Sequence, residues 1–527
     1  MKIFLSDDVS LLRLIKHKIL HLFRQPPKWW IFLLQTLLLV KDVYKPNSYI
    51  VRDVKWSASL VPLSDFYQNH DVDNIVYFRF FHEESKFSPF FYSQLYKAID
   101  QFPQAQFFYW DSIGADSSLQ LHPCFNPEQF LARDYIQGHF VLRSDLLFSL
   151  SSHVFCGKDA LFGGILMALL NLKDDEIVHI PLILHKQHLV IDLQQQSKVL
   201  NEIKQSDLFI SKLGNLKRVV LRPNGRQLYW AHQTKYSVTI VIPTKNQGSL
   251  LHSCLESVFT NTDYASFDVL LIDNQSDEDA SLKILTEWAV HPRVTLIQHK
   301  KPFNFSEINN LAIAKAKGEV ICLMNNDIEV IEKNWLNEMI SQLVRPNIAV
   351  VGAKLLYQDY TIQHAGVVVG LWDGAGHAYR LSQTNANLNA PRLDFASRVT
   401  AVTAACMVVR KKDFIAVGGF DEDLAVAFND VDFCLRIVSG NRGIIWTPLA
   451  YLIHYESKSR GTLESDVNRK REKKEVDHLR ELWNIENNVD AFYHPWLTHK
   501  NDSGTLAWFP RALVARAGSQ RFMRTSR

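Results

Sequence analysis

The sequence predicts an α/β protein whose second half is built on a mainly parallel sheet with helices on both faces. Three observations carry this. Apolar runs such as Ser237–Ile242, Phe267–Ile272 and Val320–Met324 alternate with helical patterns, as strands buried on both faces do. The three runs end in polar clusters, Thr244–Asn246, Asp273–Ser276 and Asn325–Asp327. Ligands of such sheets bind beyond the carboxyl ends of the strands, so three successive clusters there mark a site.

The chain has 527 residues, room for two to four domains at roughly 100–200 residues each. It is 47% hydrophobic and 12% aromatic, which supports large cores and argues against wholesale disorder. Its 58 basic residues nearly balance 55 acidic ones, for a net charge of +3, so binding to nucleic acid by bulk electrostatics is not expected. Six scattered cysteines form no CxxC pair and read as reduced, buried thiols of a cytoplasmic protein.

Residues 1–45 hold an amphipathic basic stretch. Leu11, Leu12, Ile15, Ile19, Leu22 and Phe23 recur at helical spacing, with Arg13, Lys16 and Lys18 mostly elsewhere on the wheel. Pro26-Pro27 stops that helix, and Trp29–Val40 is too short to span a bilayer. Such a stripe suits a peripheral membrane contact and a helix packed on the protein's own surface equally well.

From 46 to 230, helices and strands alternate, with a helix over Gln94–Gln101 and strands over Gln106–Trp110 and Glu176–Pro181. A linker is expected near Arg222-Pro223-Asn224-Gly225. The second domain, 231–495, opens with the strand Ser237–Ile242 and the breaker Pro243-Thr244-Lys245-Asn246. A helix over Leu250–Phe259 and strands at Phe267–Ile272 and Val294–Gln298 follow. Ser306 is the expected N-cap of a helix over Glu307–Ala316, closed by Gly318, and the strand Val320–Met324 leads to Asn325-Asn326-Asp327. Further on, Val431–Ser439 reads as a helix and Ile444–Ile453 as a strand.

A carboxylate at an exposed strand end, as at Asp327, suits a divalent cation beside a phosphate, although alone it would read as a turn residue. The series is longer, however. Phe303-Asn304-Phe305-Ser306 with Asn309-Asn310, Gln363-His364-Ala365-Gly366, Gly418–Glu422, Phe428–Arg436 and His454–Gly461 follow in order. Together with the strand-end clusters, they resemble glycosyltransferase family 2, of GT-A fold, and within it the bacterial O-antigen and cell-surface polysaccharide transferases of rhamnosyltransferase type.

That resemblance implies a nucleotide diphosphate sugar donor held by Pro243, Thr244, Asn246, Asp273, Asn310, Asn325 and Asn326. Asp327 and His454 would hold Mg2+ or Mn2+, with one carboxylate fewer than an Asp-x-Asp motif supplies. Asp430 would be the catalytic base, and Asp432 and Arg436, one helical turn apart, would organise the acceptor side. A single carboxylate base implies inversion at the anomeric carbon. The acceptor would be a glycan or polyprenyl-linked oligosaccharide in surface polysaccharide synthesis.

The first half resembles a companion GT-A-like unit through Pro123–Pro127, Asp134–Ile136 and Ile177–Pro181. Tyr109-Trp110-Asp111-Ser112 is expected to stand where an active copy has its acidic cluster, which makes this unit degenerate and non-catalytic. Residues 496–527 read as a basic tail with Arg511, Arg516, Arg521, Arg524 and Arg527, suited with the N-terminal helix to the inner face of the plasma membrane. Two other readings compete. A sugar nucleotidyltransferase would need a glycine-rich basic loop after the first strand, which Pro243–Gly248 lacks, and a glycan-binding scaffold would not need Asp327, Asp430 and His454 together.

Overall fold

The computed structural model describes residues 35, 49–56, 75–82, 84–149, 160–187, 192–232, 236–383, 390–455, 466–511, 513–517, 522 and 524. The expected helix over 11–23, the motif residues 456–461, Arg521 and Arg527 lie outside them.

The N-terminal unit contains β1 (Tyr49–Trp56), β2 (Ile75–His82), β3 (Lys86–Phe87), β4 (Phe107–Ile113), β5 (Leu119–Gln120), β6 (Phe140–Arg143) and β7 (Ile177–Lys186). A hairpin of β8 (Leu216–Arg222) and β9 (Gly225–Trp230) follows. Arg222 pairs with Gly225 across its turn, so the expected linker is a hairpin turn instead.

The second unit holds β10 (Val238–Thr244), β11 (Phe267–Asp273), β12 (Val294–Gln298), β13 (Val320–Met324), β14 (Ile328–Val330), β15 (Ile348–Leu356), β16 (Ile362–His364), β17 (Val367–Val369), β18 (Ala375–His377), β19 (Ser397–Arg398), β20 (Cys406–Arg410) and β21 (Gly443–His454). Its main sheet runs β12-β11-β10-β13-β20-β15-β21-β14. The first four strands are parallel, and beyond β13 the pairing is mixed. Both faces are covered. Val241, Ile321 and Leu323 meet Ile308, Ala312 and Phe433, whereas Ile240, Ile242 and Cys322 point the other way, towards Leu251, Leu255 and Trp335. Gly318 precedes β13 where a Cβ would lie 2.4 Å from the amide nitrogen of Thr239, so only glycine lets β13 enter beside β10.

The N-terminal sheet repeats the mixed part of this design. Its order β1-β2-β6-β4-β7 has the same parallel and antiparallel senses as β10-β13-β20-β15-β21. A register irregularity falls at Trp110/Asp111 in one and at Ala353/Lys354 in the other. In that register Tyr109–Ser112 matches Gly352–Leu355 inside a strand, which corrects its expected place. Phe78 matches Ile321, so Glu84 stands at the position of Asp327, and Gln187 at that of His454. The helix Ala160–Asn171 precedes β7 as Asn429–Ser439 precedes β21, but carries no acid in its first turn. Only residues 57–74 separate β1 from β2, against 245–319 between β10 and β13, too few to supply counterparts of β11, β12 and their helices.

The C-terminal segment is not a solvated tail. Arg516–Ala517 forms β22, antiparallel to β7, and closes the N-terminal sheet. Arg516 is buried and donates to the carbonyls of Asp490 and Tyr493, Arg511 donates to those of Gly370 and Ile485, and Arg524 pairs with Asp421. Gln35, the one described residue of segment 1–45, is buried and exchanges two hydrogen bonds with the backbone of Ile183 in β7. No described helix is long and apolar enough to cross a membrane.

Candidate active site

The three strand-end clusters converge. Thr244 closes β10; its carbonyl accepts from Asn274 N and its Oγ1 from Asn326 Nδ2, at 2.8 and 2.9 Å. One residue beyond β10's parallel partner, the chain turns through an Asx turn: Asp273 Oδ1 accepts from Ser276 N and Oγ. Ser276 Oγ in turn accepts from Asn246 N, and Asn246 sits at φ +56° with its amide clasping Asp277. Pro243 lies one step back on β10, opposite Ile272. Asn310 is set apart: its amide exchanges hydrogen bonds with Phe420 N and O and donates to Glu422, so it clamps the 418–422 turn.

Asp327 and His454 face one another because β14 and β21 pair Ile328 with His454. His454 Nε2 is 3.2 Å from Asp327 Oδ1 and 3.4 Å from Asn325 Nδ2, and both side chains are buried. His454 Nδ1 has no hydrogen-bond partner among the described residues.

Asp430 stands in the first turn of the helix Asn429–Ser439, half-buried, each oxygen fixed by one backbone amide: Oδ2 by Ala404 at 3.0 Å, Oδ1 by Val431 at 2.9 Å. The next carbonyl, of Ala405, accepts from Asn325 N at 3.0 Å. Two consecutive residues thus tie Asp430 to the Asn325–Asp327 loop. Asp432 points inward instead. It is fully buried and shares its oxygens between Arg436 and Trp483 Nε1, fastening this helix to Asp466–Trp483.

His364, whose motif the sequence showed without a role, and residues 403–405, which it did not single out, also reach the site. His364 is buried at the end of β16, its Nε2 3.5 Å from Thr403 N, and burial, then His377 and His454, hold its pKa well below the usual value. The signal was present in Gln363-His364-Ala365-Gly366.

Residues 239–368, which contain all three clusters and His364, match the family described as glycosyl transferase family 2. The chain carries a family 2 glycosyltransferase domain. Among curated relatives of this transferase domain is the uncharacterized protein y4gI of Sinorhizobium fredii, 38% identical over 287 residues, covering 53% of this chain and 31% of the relative. The O-antigen biosynthesis protein RfbC of Myxococcus xanthus is 38% identical over 224 residues, covering 42% and 18% respectively. The alignments thus take in less than a third of either relative. A mannosyltransferase from Pyrobaculum calidifontis, solved with GDP-Man and Mn2+, has 18% identity and a TM-score of 0.34 over 45% of this chain and 61% of its own.

A second group that could hold a metal ion, Asp111, His179 and His494, lies outside the transferase domain's site. His179 and His494 each donate from Nε2 to Asp111, at 2.9 and 2.8 Å, while Arg516 donates to His179 Nδ1 and Trp496 N to His494 Nδ1. Both imidazoles therefore carry their proton on the nitrogen that faces Asp111, so in this arrangement neither imidazole turns a lone pair towards an ion.

Proposed function

We propose that the second unit is an inverting, metal-dependent glycosyltransferase. It would transfer a sugar from a nucleotide diphosphate donor to a glycan or polyprenyl-linked oligosaccharide in bacterial surface polysaccharide synthesis. The observation that carries this is the 404–405 bridge, which sets Asp430 at a fixed place beside the Asn325–Asp327 loop. Each Asp430 oxygen spends one lone pair on an amide and keeps another for the acceptor hydroxyl, whose proton it takes as the oxygen attacks. With Asp430 acting only as base, the acceptor oxygen bonds to the anomeric carbon as the bond to the diphosphate breaks, a single displacement that inverts the anomeric centre.

Asp327 and His454 fit a divalent cation. They offer an oxygen and a nitrogen in contact at the strand ends, and two protein ligands suffice when diphosphate oxygens and water complete the shell. Bound there, the ion would supply charge neutralisation for the departing diphosphate. Thr244, Asn246 and Asp273 line the nucleotide side of the same strand ends. The family resemblance favours dTDP-rhamnose as donor, and the amphipathic basic stretch 11–23 is proposed to rest on anionic lipid.

The test is transfer screened across UDP-, dTDP- and GDP-sugars with magnesium or manganese, with product configuration read by NMR. Full activity in both Asp327→Ala and Asp430→Ala would sink the mechanism, and retention of configuration would sink inversion. Liposome flotation that does not change on deleting residues 1–45 would remove the lipid contact.

A further inference from the structure

The register that matches the two sheets also matches their flanks. Gln120, paired with Ser112, takes the place of His364, paired with Leu355, and Gln137 takes the place of Ala404, whose amide holds Asp430. In the N-terminal unit these two glutamines border a cleft of about 120 Å3 that Arg133 and Arg392 also line. The cleft therefore occupies the position of the acceptor-facing rim of the second unit.

Its lining is mixed, with arginine and glutamine side chains set among Leu119, Leu121, Phe395, Leu497 and Leu506. Arg133 is partly covered and makes no ion pair or side-chain hydrogen bond within contact distance among the described residues; the acid whose charge reaches it is Asp116. Among the described residues, Arg392 has only long contacts to neutral atoms, Gln129 Oε1 and Tyr379 Oη, both at 3.4 Å, and its Nη2 is buried without a partner. Gln137 Oε1 is likewise buried without a partner, on a residue held at φ +53°. The rings of His122 and Tyr135 stack in the wall, with centroids 5.1 Å apart. Both guanidinium groups act on His122, which burial and these cations hold down to about 4. Arg392 Nη2 and Gln137 Oε1, both buried and unfilled among the described residues, are costly to keep unless something meets them.

We propose that this cleft is a non-catalytic binding site for an acidic saccharide, a sugar bearing a carboxylate or a phosphate. Arg133 and Arg392 meet the anion, Gln137 Oε1 accepts from a ring hydroxyl, and the His122–Tyr135 stack offers a flat apolar face. The saccharide class rests on the transferase reading; the charge of the ligand rests on the cleft alone. The N-terminal unit, with Arg392 of the second unit, thereby grips a glycan at a point away from the site of transfer.

Calorimetry on the full chain tests this with a glucuronic-acid disaccharide, glucose 1-phosphate and their neutral counterparts. Expected is binding of at least one acidic probe, at least tenfold tighter than its neutral partner and weakened by salt. Excess UDP, dTDP or GDP should not displace it, and Arg133→Gln or Arg392→Gln should weaken it at least tenfold. Binding of only the carboxylate or only the phosphate probe supports the site and names its anion. Because either variant could misfold, hydrogen exchange on the unaltered chain gives a second readout, with slowed exchange expected at 119–122 and 133–137. No binding of either acidic probe, equal binding of neutral ones, or displacement by nucleotide overturns the proposal. Donor turnover measured on the same preparation shows separately whether the transferase reading stands.

Discussion

At the scale of residues, the site rests on a few side chains held by backbone amides. Asp430→Asn keeps the shape and one of the two acceptor positions but cannot take a proton. Its kcat should fall by about 10^2–10^4, the usual worth of a general base, with donor affinity nearly unchanged when measured by titration. Asp327→Asn should instead raise the metal concentration needed for half activity, by roughly 10- to 100-fold, as loss of a well-placed contact in a metal site does. An unchanged metal requirement would remove Asp327 from that role. The places of Asp327 and Asp430 in the fold were legible because each sits at an element boundary the sequence announces, a strand end and a helix start. The nearness of Ala404 and the place of His364 beside Thr403 were not, since both depend on sheet register between segments far apart in the chain. Asn310 shows the opposite error. A motif position suggested nucleotide contact, whereas its amide is occupied by Phe420 and Glu422.

At the scale of elements, strands were read well because buried parallel strands are continuous apolar runs, and caps less well because several residues compete for them. Val294–Gln298 and Val320–Met324 agree with the structure end to end. The helix expected to start after Ser306 starts earlier, at Phe305, capped by Asn304, whose Oδ1 accepts from Glu307 N at 3.0 Å. Ser306 Oγ instead donates to the carbonyl of Leu424, joining this helix to the loop before Asp430. The 418–422 turn depends on Gly419 at φ +71°, where a Cβ would lie 2.7 Å from Asn310 Oδ1. Gly419→Ala should therefore destabilise the protein by about 1–3 kcal/mol in a denaturant titration and loosen the approach to Asp430. The hairpin β8–β9 was missed for a simple reason: Pro-Asn-Gly marks a turn, and a turn signal alone does not say whether it joins strands or domains.

At the scale of the molecule, the two units are joined by buried charge and buried histidine. Glu128 of the first unit pairs with Arg345 and Arg398 of the second, at 2.8 and 3.2 Å, and Arg345 lies over the ring of Trp230. Glu128→Ala leaves Arg345 buried without its anion and should cost about 3–5 kcal/mol. The units should still melt in one transition; two separated transitions in the unaltered chain would show that the junction does not couple them. Burial pushes His122 down to about 4 and His179 down to about 3, and lowers His494, His185 and His364 as well. Asp111, despite burial, is held low by His494 and His179. In the unfolded chain these histidines take up protons near pH 6.5, so the unfolded state binds more protons below that value. Stability is thus full above about pH 6.5 and falls as pH drops towards 4, with the Asp111 contribution lost below about 4. A melting temperature constant from pH 7 to 4.5 would contradict this. The strand β22 carries one more consequence, and it concerns synthesis. Arg516 meets His179 across 337 residues of chain, so the sheet begun first is finished last. While the ribosome is making the second unit, Val178 and His179 on the outer edge of β7 wait for β22, whereas Gln35 and β3 already cover that edge further along, and the open stretch can take up a passing strand. Production of this protein should therefore respond to chaperones that shield open sheet edges, and loss of residues from 510 onward should yield aggregates in place of a working second unit.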